Sequence, residues 1–274
     1  MKNKKKTVRN AIVLTLAAAL LVTATVFTTL AYLVSTAKVS NVFTVGDVTI
    51  EMYETKVDTT GHIPGGQTST THTPGYKPTE KKTSDTNTYP IVPGGTYDKD
   101  PTLYVNPNSA KTILFVKTRN QISNIETTDA TSTMKNQMKN NGWQRVAKMA
   151  NGDWIYVFVG NATIAYPDAA AYVVPTSNDV QAFDLFNTFS IDKNCNLELY
   201  KLAQGAAVTL TAYAIQADGF TTTATVNDGE NTRTVEYVSK DNVIAAWNAI
   251  VSKVSYESGN GISGYTPDET TTTP

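Results

Sequence analysis

Short stretches of alternating apolar and polar side chains constrain this chain more than any other feature. Phe43 and Val45 alternate on one parity, and Val48, Ile50 and Met52 on the other. Gly46-Asp47 stands at the switch, where a one-residue slip reads as a β-bulge. Tyr97–Val105 alternates again, and Ile113–Lys117 is a short apolar run. Trp143–Val146 and Trp154–Val159 flank Asn151-Gly152, a strong hairpin signal. Phe183, Leu185, Phe189 and Ile191 share one face, as do Val208, Leu210, Ala212 and Ala214. Thr222–Val226 and Thr232–Val238 flank Asp228-Gly229, which predicts a second hairpin.

Two helices interrupt the pattern. Asp129 is placed to cap one that carries Met134 and Met138 and stops at Gly142. Ser239 or Asp241 is placed to cap another, with Val243, Trp247, Ile250 and Val254 at helical spacing. That stripe reads as a helix packed on a sheet. About eight or nine strands with few helices make the chain all-β, a two-sheet sandwich of jelly-roll type, with an immunoglobulin-type sandwich as the alternative. The domain is expected over residues 43–256.

Two segments read as disordered. Thr55–Tyr89 is rich in Thr, Gly, Pro and Lys and has almost no large apolar residue, so it reads as a long inserted loop without the surface to offset its ordering entropy. Residues 257–274 form a Gly/Ser/Thr tail with no Leu-Pro-x-Thr-Gly signal.

The N-terminus sets the location. Lys2, Lys4, Lys5, Lys6 and Arg9 precede a run without charge from Ala11 to Leu33. Its length could span a bilayer, but five threonines dilute it, and Thr29 and Ala31 have the small-residue spacing of a signal peptidase site. Cleavage between Ala31 and Tyr32 makes residues 1–31 a signal peptide. Ser35 and Ala37 offer a second site, and an uncleaved anchor is the alternative. Without residues 1–31 the chain keeps 18 of its 23 basic residues and all 24 acidic ones, a net charge of about −6. That balance argues against a nucleic-acid partner.

Catalytic signatures are missing. Cys195 is the only cysteine, so an internal disulfide or a Cys-based zinc site is excluded, and it reads as a β-edge residue rather than a nucleophile. His62 and His72 both lie in the polar segment and form no His-Glu-x-x-His helix. There is no Gly-x-Ser-x-Gly elbow or phosphate-binding Gly-Lys-Thr loop. Asp98-Lys99-Asp100 reads as a charged turn rather than a calcium loop. Trp143, Trp154 and Trp247 read as core residues rather than sugar platforms. No catalytic, cofactor-binding or metal residue is singled out, and the chain is expected not to be an enzyme.

Three blocks together resemble one family. Ala31–Glu54, "AYLVSTAKVSNVFTVGDVTIEMYE", is similar to the junction between leader and first strand in the TasA/camelysin-like proteins, which are exported through the SipW-type signal peptidase. Tyr89–Asn120 and Leu210–Phe220, the latter followed by the helix with Ala246-Trp247, resemble their later blocks. The resemblance implies a jelly-roll protein secreted by a Gram-positive bacterium to its surface or biofilm matrix, where several members form fibres. Camelysin-type members are classed as metalloproteases, but no matching ligand motif stands here. The partners so implied are further copies of this chain, the signal peptidase during export, and other matrix or cell-wall components.

The residues after the cut suggest how fibres would form. Residues 32–42 make an arm that reaches roughly 35 Å when extended. Tyr32, Leu33, Val34, Val39 and Val42 give it apolar positions, and Lys38 is its only charge. Such an arm can pair with an open sheet edge of a neighbouring subunit, or fold back as an edge strand of its own domain. The resemblance favours the first arrangement.

Overall fold

The computed structural model describes residues 33–45, 47–66, 72–129, 131–160, 166, 168–196, 198, 200, 203, 205–228, 231–254 and 259–266. In chain order its strands are Leu33–Val45 (β1), Ile50–Tyr53 (β2), Thr86–Ile91 (β3), Thr96–Asp98 (β4), Thr102–Val105 (β5) and Thr112–Asn120 (β6). Then follow Trp143–Lys148 (β7), Trp154–Phe158 (β8), Gln181–Asp184 (β9), Thr188–Ser190 (β10), Val208–Gln216 (β11), Thr222–Asp228 (β12) and Asn231–Tyr237 (β13). Two helices among the described residues, Met134–Asn140 (α1) and Lys240–Lys253 (α2), complete an all-β molecule.

A six-stranded sheet runs β3-β1-β11-β6-β8-β7, and a three-stranded sheet runs β2-β5-β9. β10-β4 and β12-β13 are separate pairs. Side chains on β6, β8 and β11 alternate between the two faces of the large sheet. Ile113, Phe115, Ile155, Val157, Tyr213 and Ile215 point to the side that α2 covers, where they share one buried cluster with Val243, Ala246, Trp247 and Ile250. The Trp247 ring lies 5.1 Å from Tyr213 and 5.7 Å from Phe115. On the opposite face Phe158 meets Phe183 of β9 at 4.9 Å, and the Trp143 indole N–H donates to the Asp184 carbonyl at 2.9 Å. Helix, large sheet and small sheet therefore form three layers.

The β7/β8 hairpin forms about Asn151-Gly152, with Gly152 at φ +88°, and β12 pairs with β13 as the second hairpin. Ser239 caps α2, its hydroxyl accepting from the Asn242 N–H. Several expectations need correction. Thr133, not Asp129, caps α1; Asp129 instead accepts from the Thr131 N–H and the Ser132 hydroxyl in the turn before it. The parity switch after Val45 is not a bulge: β1 ends there in the large sheet, and β2 begins at Ile50 in the small one. Tyr97–Val105 is not one strand either. It divides at Lys99-Asp100-Pro101 into β4 and β5, which belong to different sheets.

The segment expected to be a disordered insertion, 55–89, is largely built into the fold. Glu54 and Ser84 exchange backbone bonds of 2.8 and 3.0 Å along the free edge of β2. Gly75 and Tyr76 pair with Ala182 along the free edge of β9. Val57, Asn87 and Tyr89 are buried. Backbone pairing at two sheet edges, with a few buried anchors, supplies the ordering energy that composition alone withholds. The tail is corrected in part as well. Ile262 is buried against α2, the Trp247 indole donates to the Asn260 carbonyl at 2.9 Å, and the Thr266 N–H donates to Val146 on β7.

Candidate assembly site

The arm residues lie at the N-terminal end of β1, inside the large sheet. Ala31 and Tyr32, the expected cleavage pair, fall outside the described residues, as do the basic leader and its apolar run. Leu33 and Val34 open β1. Val39 stands opposite Leu210 and Val42 opposite Ala212, in a parallel ladder with β11 that continues through Phe43–Tyr213 to Val45–Ile215. The register shifts between Val39 and Val42, so the strand is irregular where the arm meets the expected domain start. This is the fold-back arrangement, with one correction: β1 is no edge strand, because β3 lies on its other side.

The slot for β1 is built by residues far apart in sequence. On one wall, β11 runs antiparallel to β6, and Val208, Leu210, Ala212, Tyr213 and Ala214 are buried along it. On the other, β3 contributes buried Tyr89 and Ile91. A parallel strand needs a long crossover connection rather than a tight turn. Here the whole domain serves as that crossover, from Val45 to Val208.

A second concentration of polar side chains lines a groove of about 790 Å³. Arg145 lies 4.0 Å above the half-buried Trp154 ring, and its Nε donates to the Tyr156 hydroxyl at 2.7 Å. Arg119 makes two bonds to the buried Asp153 carboxylate, at 2.9 and 3.1 Å. Glu126 accepts from the Met134 N–H and from Asn120, while burial pushes its carboxyl above the usual range. Trp143 and Trp247 are core residues; Trp154 lines the groove.

The third polar region contains Asp98-Lys99-Asp100, expected as a charged turn, and Lys99 and Asp100 are buried there. Lys99 and Glu54 are fully buried, with Nζ 2.6 Å from Oε2. Burial holds the Glu54 carboxyl above its ordinary range, against the pull of Lys99. Asp100 accepts from the Thr55 N–H and hydroxyl, both at 2.8 Å, and pairs with Lys82 at 3.0 Å. Asn87 accepts from the Val57 N–H and donates to the Thr55 carbonyl. Tyr89, Tyr97 and Phe189 pack beside one another, with ring centroids 5.0 to 6.2 Å apart.

The remaining candidates are dispersed. His62 sits 3.5 Å from Asp98, and His72 stacks on Tyr76 while its Nδ1 lies 2.9 Å from Asp184. Cys195 occupies a turn after β10, not a strand edge; its N–H donates to the Asp192 carbonyl, and burial pushes its thiol up. Among the described residues no three His, Cys, Asp or Glu side chains gather as a metal site, and no helix is long and apolar enough to cross a membrane. No protein-family model, curated protein or solved structure matches the chain.

Proposed function

We propose that this protein is a secreted structural subunit of extracellular fibres or matrix, built on a jelly-roll-type sandwich and assembling by strand donation. The observation that carries the reading is the position of β1. The first described strand occupies an internal slot between β3 and β11, joined to the domain by a single chain connection at its C-terminal end. A strand that completes its own sheet can complete the same sheet in a neighbour, because the backbone pairing is identical in both cases. Donation of each subunit's arm into the next gives a head-to-tail contact that does not close, and hence a filament. In this reading the monomer is the self-filled form, and Ala31–Tyr32 is the cut that frees the arm.

The test compares residues 32–274 with residues 43–274 by size exclusion and negative-stain electron microscopy. The long form should give filaments. The short form should stay monomeric, and a peptide of residues 32–45 added to it should bind the emptied part of the slot. If the long form remains monomeric across concentration, pH and added metal, strand donation fails.

A surface adhesin or carbohydrate-binding module is the second reading, favoured by Trp154 and Arg145 in the groove. It predicts a monomer that binds glycans and loses that binding on Trp154→Ala. A secreted metallopeptidase is the weakest reading, and it predicts activity that a chelator abolishes.

A further inference from the structure

The fully buried Lys99–Glu54 pair is poorly satisfied as a pair of ions. An ammonium has three N–H donors, and among the described residues the Lys99 Nζ finds one acceptor, Glu54 Oε2. The other carboxylate oxygen, Oε1, has no hydrogen-bond partner. Neither side chain reaches solvent, so two whole charges are desolvated in exchange for one hydrogen bond. Burial favours the protonated form of the Glu54 carboxyl, and the geometry sets the Lys99 nitrogen in direct contact with it.

We propose that Lys99 and Glu54 condense after folding into an intramolecular amide, Nζ to Cδ, which cross-links the end of β2 to the segment between β4 and β5. The proton first passes from the Lys99 Nζ to the Glu54 carboxylate along the 2.6 Å contact, leaving an amine and a carboxylic acid. The nitrogen lone pair attacks Cδ and the C–N bond forms. A proton moves from nitrogen to the departing hydroxyl, the C–O bond breaks, and one water leaves. No oxidant, reductant or cofactor enters the balance.

Two physical factors drive the step. The fold holds nucleophile and electrophile in contact, which raises their effective concentration far above that of free reactants. The product also suits the site better: two charges disappear, and an amide keeps only one N–H and one carbonyl to satisfy. Tyr89, whose buried hydroxyl is likewise unpartnered and which feels the Glu54 charge, offers a donor for the new carbonyl. Asn87 is also fully buried beside this pair; its amide bonds the backbone of Thr55 and Val57 and acts on both Glu54 and Tyr89. The cross-link would close a ring that contains the whole 55–89 segment. It forms within one subunit, so it stands or falls independently of fibre assembly.

Intact mass of the purified wild-type protein decides the matter. The expected result is a mass one water below the value calculated for the chain, with a branched peptide joining Glu54 and Lys99 in the tandem spectrum of a digest. Lys99→Arg should return the full calculated mass. A full calculated mass for the folded wild-type protein overturns the proposal. So does a cross-link located elsewhere, such as a form one ammonia lighter that joins Lys99 to Asn87. Because the wild-type protein is itself the sample, the result does not depend on whether a variant folds.

Discussion

The helix-covered face of the large sheet and the corner where β2, β3 and β4 meet are equally dry and chemically opposite. The first is filled by Phe115, Tyr213, Ile250 and Trp247, whose burial is favourable without any partner. The second holds Glu54, Lys99 and Asn87, each of which must be matched by a specific neighbour or be costly. The apolar region tolerates errors of shape and charges for lost volume. The polar region charges for a lost partner, and so it specifies which segment may lie there. That specificity is what fastens the 55–89 segment to the domain.

Substitutions on the two sides should separate these costs. Trp247→Ala empties a large apolar volume and removes the indole N–H bond to the Asn260 carbonyl, and should cost toward the upper end of ~3–5 kcal/mol in urea unfolding. A loss below ~1 kcal/mol would mean that α2 is not part of the cooperative core. Lys99→Met should cost about 3 kcal/mol by stranding the Glu54 carboxylate, and adding Glu54→Leu should recover most of it. Full additivity of the two single changes would show that the pair is not coupled.

Asn87→Ala should cost about 1–2 kcal/mol, because it leaves the Val57 N–H and the Thr55 carbonyl unmatched. Its effect should be local, with faster proteolysis within 55–89 and little change in exchange protection of β6 and β11. Uniform loosening of all strands would contradict a role confined to the segment. The smallest expected effect is that of Glu126. Its folded-state pKa is raised, so its contribution is fully present below the ordinary carboxylate range and declines as pH rises through the folded value. Glu126→Gln should therefore gain stability relative to wild type as pH rises through that range. An identical pH dependence in both proteins would remove Glu126 from the account.

The same contrast explains what could be read from the sequence. Alternation and helical spacing mark positions that face apolar surroundings, so β6, β11, both hairpins and the Val243–Trp247–Ile250 stripe were legible. Polar residues in dry sites carry no periodic mark. Asp98-Lys99-Asp100 has the composition of a solvated turn, and only the fold brings Glu54 against Lys99. Thr55–Tyr89 has the composition of a disordered loop because its order comes from edge pairing of Ser84 with Glu54 and of Gly75 and Tyr76 with Ala182, which no local pattern announces. The arm was legible as a strand. Its parallel pairing with β11 was not, because the partner lies near the other end of the chain.

That distance also imposes a timetable. A chain is made from its N-terminus, and β6, β7 and β8 can pair as soon as residue 158 is available. The slot between β3 and β11 does not exist until residues 208–216 arrive. Through most of its production the chain therefore carries a strand with no finished place to rest, and pairing across so long a separation is slow.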